Sequence, residues 1–584
     1  LLLTADLVVA DITIHNANVF YELGIRHARR RRGTFLLRGT LPPSEARRDV
    51  PFDIAGYRYL AYEPASPGAT VAALVDGLRA TITGERDDSP IYTLLANDQE
   101  EPSEELPPPS TFKDDVEIAS TSRDAGMLAL LAEEAQTFAW ARAALRQVGR
   151  SLYKAAAYES ARDVWRKLLE ARPDDFETNK HLGNIYHRLG DIAESTQAIE
   201  RILENRSSTW SDRAEALAQQ GRNAKELWRR EWAGSADLAP RREVALQSPG
   251  LAEALDHYRS ALKEDLNDYY PGINALALQV ITGELSGEAA GQIQAQVELT
   301  TLVRAAVERA RERAAREKKV DRWAEASFAD LTFLTSDDAA VVEKEYRRVL
   351  YRSSELDRET VRHQLELFSL LGLREKVLGA ALRALGPSAS AEGYERVLLF
   401  TGHRLDAPGR PEPRFPAAKE PAALAQIKAR VESELQKAKG RVIGIAGAAS
   451  GGDILFHEAC QELGVPSLVY LALPASQYVV HSVQDAGPGW VERFNALIKT
   501  HPSRVLCPNG ALPAWLQTRK SYGIWKRSNR WMLRSALASG YEKVTLVALW
   551  DGKDQGDGPG GTADLVLTAK EYGAKLEIIK TTEL

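Results

Sequence analysis

Arg441-Val442-Ile443-Gly444-Ile445-Ala446-Gly447-Ala448-Ala449-Ser450-Gly451-Gly452-Asp453 runs directly into Ile454-Leu455-Phe456-His457-Glu458-Ala459-Cys460. An apolar run, a turn of small residues and a stretch of helical period read as strand, turn and helix, the unit of a parallel sheet. Such a turn leaves backbone N–H groups and the positive end of a helix facing open space, which suits a phosphate. Gly447, Gly451 and Gly452, having no side chains, would let a ligand approach the backbone, with Ser450 and Asp453 beside them. The turn has neither the Gly-Lys-Ser/Thr of a Walker A loop nor the spacing of the dinucleotide fingerprint.

Working outward, apolar strands are expected at Val397 to Phe400, Val442 to Ala446, Ser467 to Leu473, Val505 to Cys507, Val544 to Trp550 and Leu576 to Ile579, separated by helical stretches. This predicts a doubly wound, Rossmann-like α/β domain over 393–584. Thr401-Gly402-His403-Arg404 ends the first of these strands at the same rim, so Gly402 and Arg404 are candidate ligand contacts; a lone histidine such as His403 is ordinarily a hydrogen-bonded structural residue. A second glycine turn, Trp550-Asp551-Gly552 to Asp557-Gly558-Pro559-Gly560-Gly561-Thr562-Ala563-Asp564, adds Asp551, Gly560, Gly561 and Thr562. The two turns together resemble the SLOG family, Rossmann-like domains that include the LOG-type nucleotide hydrolases with their Pro-Gly-Gly-x-Gly-Thr-x-x-Glu motif. Here that motif is shortened to Pro559-Gly560-Gly561-Thr562, with Asp564 in place of the Glu. The resemblance implies a nucleotide-derived or NAD-derived ligand, bound rather than hydrolysed.

From 125 to 392 the chain is helical in period throughout. Gly149 and Gly183 lie 34 apart, as do Trp165 and Ile199, and Leu168 and Ile202. That is the period of stacked helix pairs, each unable to bury its apolar face alone. Leu182-Gly183-Asn184-Ile185-Tyr186-His187-Arg188-Leu189-Gly190-Asp191 resembles the tetratricopeptide repeat, and Trp210 to Trp232 continues it more loosely. The tryptophans at 165, 210, 228, 232 and 323 are expected between repeats, and Asp268 to Ala275 as a structural turn and helix start. Arrays of this kind present long surfaces, so protein partners or self-association are expected.

The N-terminal α/β texture, 1–84, has strands expected at Asp6 to Asp11, Thr34 to Leu37 and Tyr57 to Tyr62. A parallel strand ending in Asp11 delivers its carboxylate to the sheet edge where ligands bind, followed by Asn16, Asn18 and Glu22. The motif resembles nucleoside deoxyribosyltransferases and the related TIR-like domains that cleave N-glycosidic bonds in nucleotides or NAD. Breaking such a bond builds positive charge on the sugar, which a fixed carboxylate stabilises or traps. That resemblance implies Glu22 as nucleophile or oxocarbenium stabiliser, with Asp11, Asn16 and Asn18 orienting hydroxyls; Asn16 stands where the transferases carry Asp. The alternative is purely structural, with Asp11 and Glu22 capping a strand and a helix and the asparagines turning the chain. Arg29 to Arg32 reads as a solvated helix end. The acidic, proline-rich 85–124 reads as a linker.

Five hundred and eighty-four residues, 44% hydrophobic and 27% charged, point to a multidomain globular chain. A net charge of −6 argues against nucleic acid, and two cysteines exclude a disulfide framework or a Cys-rich zinc site. No metal site is expected, and no certain cofactor. The cytoplasm is the expected location, since no stretch reads as a membrane span. The chain opens on Leu without a leader pattern and reads as a truncated start.

Taken together with Asp88-Ser89-Pro90-Ile91-Tyr92 and Tyr269-Tyr270-Pro271-Gly272-Ile273-Asn274-Ala275, the order of segments resembles bacterial proteins carrying the TRAFs-binding domain, a module also found near the regulatory half of the apoptosis signal-regulating kinases. This implies signalling or antiviral defence, with a C-terminal nucleotide sensor and an N-terminal domain cleaving an N-glycosidic bond. The competing expectation is a catalytically inert tetratricopeptide-type scaffold.

Overall fold

The computed structural model describes residues 2, 5–40, 59–84, 87–94, 105–287, 290–352, 355–386, 393–407, 409–520, 522–553 and 560–584. The chain forms two compact units, Leu1–Asp115 with Ala132–Gln147, and Val116–Leu131 with Val148–Leu584.

The first unit holds a parallel sheet in the order β1-β2-β3, with β1 Val8–Asp11, β2 Thr34–Gly39 and β3 Tyr59–Tyr62. The helix Ala17–Arg29 follows β1, started by Asn16, whose Oδ1 accepts the Asn18 amide at 2.9 Å. Arg26, fully buried, donates to the carbonyls of Ala5 at 2.8 Å and Gly33 at 2.9 Å, tying the helix to the chain on either side of it. The basic run that closes the helix is not simply solvated, because Arg31 Nε donates to Asp87 at 2.5 Å. The segment expected as linker contains the helix Pro90–Leu94, while residues 95–104 lie outside the described residues. It also contains the helix Ser110–Thr121, because Phe112, Val116 and Ala119 recur at helical spacing and are buried.

In the second unit, Tyr158–Ala171, Phe176–Leu189, Ile192–Glu204 and Trp210–Trp232 stack each on the next; further on, Trp210–Trp232 packs chiefly on Pro249–Glu264 and Ala339–Arg352 on Glu375–Leu385, each pair skipping the helix between them. Local signals set their ends. Asp175 and Asp191 cap the second and third of these, Gly190 in left-handed conformation (φ 81°) closes the second, and Thr209 with Asp212 forms a capping box. The 34-residue spacing has a packing cause. A Cβ on Gly149 would meet Trp165 Nε1 at 2.7 Å, and one on Gly183 would meet Ile199 Cγ1 at 3.2 Å, so equivalent glycines let equivalent helices close up. Trp165, Trp228 and Trp232 are fully buried as expected, whereas Trp210 (59% exposed) and Trp323 (47%) stand at helix starts facing water. Asp268 caps the helix Tyr269–Ser286 and the following Pro271–Ile281 is buried throughout.

After the array comes a six-stranded parallel sheet of β4 Arg396–Gly402, β5 Val442–Ala446, β6 Ser467–Leu471, β7 Ser503–Val505, β8 Val544–Trp550 and β9 Lys575–Lys580. Its order is β7-β6-β5-β4-β8-β9, so the winding reverses between β4 and β8. β5 and β8 are buried at every position, which is why they read in sequence as unbroken apolar runs. β7 lies two residues upstream of its expected place. It is an exposed edge strand with no apolar signature, and the apolar Leu506 and Cys507 are buried just past its end. Among the described residues no helix is long and apolar enough to cross a membrane, and no cluster of His, Cys, Asp and Glu could hold a metal ion.

Candidate ligand site at the end of the six-stranded sheet

The turn after β5 is a packing device before it is anything else. Gly451 (φ 94°) would place a Cβ 2.7 Å from Leu405 N and 2.8 Å from the His403 carbonyl, because the chain leaving β4 runs against it. A Cβ on Gly447 would lie 2.5 Å from Asp453 Oδ2. At Gly447 and Gly451 the space a side chain would take is therefore occupied by other parts of the protein. The amides are likewise engaged. Ala448 N donates to Tyr478 Oη at 3.2 Å, Ala449 N to Asp453 Oδ2 at 3.2 Å, Ser450 N to the Ser482 carbonyl at 2.9 Å, and Gly452 N to the His403 carbonyl at 3.1 Å. The expected row of bare N–H groups is thus absent at these four positions. Ser450 itself is fully buried and does not line the cavity described below.

His457, one turn into the helix Gly452–Glu462, holds this turn from behind. Its Nε2 pairs with the Gly447 carbonyl at 2.9 Å and its Nδ1 with Ser467 Oγ at 2.8 Å. Burial drives its pKa down to about 4, so the ring is neutral, with Nε2–H donating to the carbonyl and Nδ1 accepting from the serine.

A cavity of about 360 Å³ opens at the carboxyl ends of β4, β5 and β8, where the winding reverses. Gly402, His403 and Arg404 come to it from β4, Gly447 and Asp453 from the β5 side, and Gly560, Gly561 and Thr562 from the start of the helix Thr562–Glu571. Gly560 (φ 91°) is pressed on the neighbouring helix, since a Cβ there would lie 2.6 Å from Lys526 N. Residues 554–559 of the second glycine turn, Asp557, Gly558 and Pro559 included, lie outside the described residues. Asp551 lies just behind, half-buried, with its side chain 4% exposed. His403 Nε2 lies 3.0 Å from the Asp551 amide nitrogen and 3.1 Å from its Oδ1, and Arg414 Nε stands 3.6 Å from its Oδ2. Burial alone would raise Asp551, but the Lys553 amide, His403 and Arg414 together hold it below the ordinary carboxylate range. His403 thus stitches the ends of β4 and β8 together.

Asp453 behaves oppositely. Burial pushes its carboxyl up to about 7 in spite of the Ala449 and Gly402 amides and the nearby Arg404 charge. Arg404 is turned toward Asp485, with which it pairs, and toward the His481 carbonyl at 3.0 Å. Sequence reading missed Arg410, Arg414, Tyr478, Trp525 and Asn529, all of which line the cavity. The two arginines sit in the stretch following β4 and the others on helices, where nothing local marks them as facing a cavity.

The N-terminal candidates are differently disposed. Asp11 accepts from the Thr13 amide at 2.8 Å, from Thr13 Oγ1 at 2.5 Å and from Tyr62 Oη at 2.7 Å. Burial works against its charge, but these three donors leave its pKa lowered overall. Asn16 is the helix cap and Asn18 supplies the capped amide. Glu22 is exposed on the second turn of that helix and makes no hydrogen bond or ion pair among the described residues.

Residues 157–279 match the family model described as Tetratricopeptide Repeats-Sensor (TPR-S). No curated protein matches the chain. The helical array is therefore of tetratricopeptide type over that segment, and a sensor or scaffold role in signalling fits it.

Proposed function

We propose that the six-stranded sheet binds a small anionic ligand of the nucleotide class and that the chain is a signalling sensor whose helical array carries the response. The observation that carries this reading is the cavity's place at the reversal between β4 and β8, where open parallel sheets receive ligands. Its volume falls within the range of small-molecule sites, roughly 300–1,000 Å³. Arg404, Arg410 and Arg414 line it against the carboxylates of Asp406 and Asp453, which favours an anion. Trp525 and Trp550 offer aromatic surface for a base.

A route outward supports the sensor part. The helix Ile524–Leu537 sends Trp525, Ser528, Asn529 and Met532 to the cavity. Its Ser535 meets Gly126 so closely that no Cβ fits there. Met127 and Leu130 join the core of the sheet domain, and Tyr541 hydrogen-bonds Asp163 on the first helix of the matched array segment at 2.5 Å. A ligand that shifts this helix therefore acts directly on packed neighbours.

Thermal unfolding of the full chain with adenosine monophosphate, ADP-ribose, NAD or inorganic phosphate tests the reading. A rise in Tm with a nucleotide, larger than with phosphate and lost in Arg414→Gln, supports it. No rise with any of the four overturns it in favour of the inert scaffold.

Cleavage of an N-glycosidic bond at the N-terminal domain is a narrower proposal. It rests on Glu22 being exposed and, among the described residues, without a hydrogen bond or ion pair, while Asp11 is held ionised nearby in sequence. Mass spectrometry of bases released from NAD or nucleosides, with Glu22→Gln as control, decides it; equal release by both chains removes it.

A further inference from the structure

Which way a ligand lies in this cavity turns on Asp453. Where a strand–turn–helix unit would ordinarily greet a phosphate, this chain has placed a carboxylate in the first turn of the helix and given its oxygens the Ala449 and Gly402 amides. Gly447 is kept bare of a side chain to make room for it. The neighbouring amides of Ala448, Ser450 and Gly452 already serve Tyr478, Ser482 and His403. A phosphate brought here meets an acceptor with no donor to offer once ionised, and the two anions repel. A hydroxyl or amine meets a carboxylate whose oxygens retain lone pairs. On the other side of β4 the lining carries two guanidinium groups, Arg410 standing 3.6 Å from Asp406 and Arg414 3.6 Å from Asp551 at the end of β8, so each carboxylate there already faces a cation, as the Asp453 carboxyl does not among the described residues.

We infer, resting on the nucleotide reading, that the ligand lies across the β5-β4-β8 ends with a hydroxyl- or amine-bearing group against Asp453 and its anionic group against Arg410 and Arg414. The glycine turn then recognises a sugar-type donor and rejects phosphate. Asp453 is a specificity-determining residue for a ligand that carries a free diol, and a 2′,3′-dideoxy analogue is discriminated against at this end alone.

Calorimetric titration of the protein with adenosine monophosphate and with 2′,3′-dideoxyadenosine monophosphate at pH 8, where the Asp453 carboxyl is ionised, tests this. The wild type should bind the diol about tenfold more tightly, the effect of about one good hydrogen bond to a charged group. Asp453→Ala should erase that ratio by weakening the diol ligand only, and Arg414→Gln should weaken both alike. Asp453→Asn, which keeps an acceptor for the Ala449 amide, guards against misfolding and should narrow the ratio in the same direction. Equal binding of the two ligands by the wild type, or a uniform loss in both Asp453 variants, overturns the orientation while the nucleotide reading stands. If neither ligand binds the wild type, the nucleotide reading itself fails and the orientation goes with it.

Discussion

Gly402 at the end of β4 and Gly452 at the start of the helix Gly452–Glu462 touch through their backbones: a Cβ on Gly402 would lie 2.8 Å from Gly452 Cα, and one on Gly452 2.7 Å from Gly402 Cα. Neither glycine has a positive φ, so the requirement is space, not conformation. Gly402 lines the cavity, and so does Asp453, one residue past Gly452.

Gly452→Ala should therefore destabilise the chain by about 1–3 kcal/mol, the usual cost of overpacking a closed contact. Gly489→Ala, at a site with nothing within 4 Å, should change little. Urea unfolding followed by tryptophan fluorescence measures both, and equal midpoints for the two variants would refute the contact.

Asp453 and His457 predict opposite pH effects. The Asp453 carboxyl is raised from 3.8 to about 7, so its contribution is fully present below 3.8 and is lost as pH rises through 7. The His457 imidazole is lowered from 6.5 to about 4, so its contribution is present above 6.5 and is lost as pH falls through 4. Asp453→Asn should raise Tm at pH 8 relative to wild type and leave it nearly unchanged at pH 4. A Tm scan of both chains from pH 4 to 8 checks the sign.

In the array, Tyr346 Oη donates to Asp330 at 2.6 Å inside the core, and burial pushes that carboxyl up to about 7. Lys225, lowered by burial to about 8, donates to Asn274 at 2.6 Å and Gln364 at 3.1 Å and acts on Asp330 through its charge. Tyr346→Phe removes one donor and should cost about 1–3 kcal/mol, the price of an unsatisfied buried group. Chemical denaturation reads it; a loss well under that range would mean the hydroxyl is dispensable.

Gly126→Val should separate the helix Ala125–Ala135 from the helix Ile524–Leu537, because Ser535 leaves no room. Faster proteolysis near Met127 with the nucleotide-induced Tm rise diminished is the expected outcome. Unchanged cleavage would show that the close approach is not needed.

How much of this was legible beforehand varied with burial. β5 and β8 were read to the residue because strands covered on both faces are apolar at every step. The repeat period was visible because Gly149 and Gly183 answer the same steric demand. β7, an exposed edge, carried no apolar signal and was read two residues late, while the period of the helix Ser110–Thr121 was hidden inside an acidic proline-rich stretch. At the site, Gly402, Arg404, Gly447, Asp453, Gly560, Gly561 and Thr562 do line one cavity, while Arg410, Arg414 and Trp525 were invisible because no local pattern distinguishes a cavity-lining arginine from a solvated one.

Alone, the order of residues determined the element types, their order and the repeat, because periodicity and capping act over a few neighbours. What the glycines are for was settled only in three dimensions. Whether a bare backbone faces a ligand or another strand depends on chain distant in sequence, and here the stretch leaving β4 and the Asp453 carboxylate filled the space that the turn leaves open.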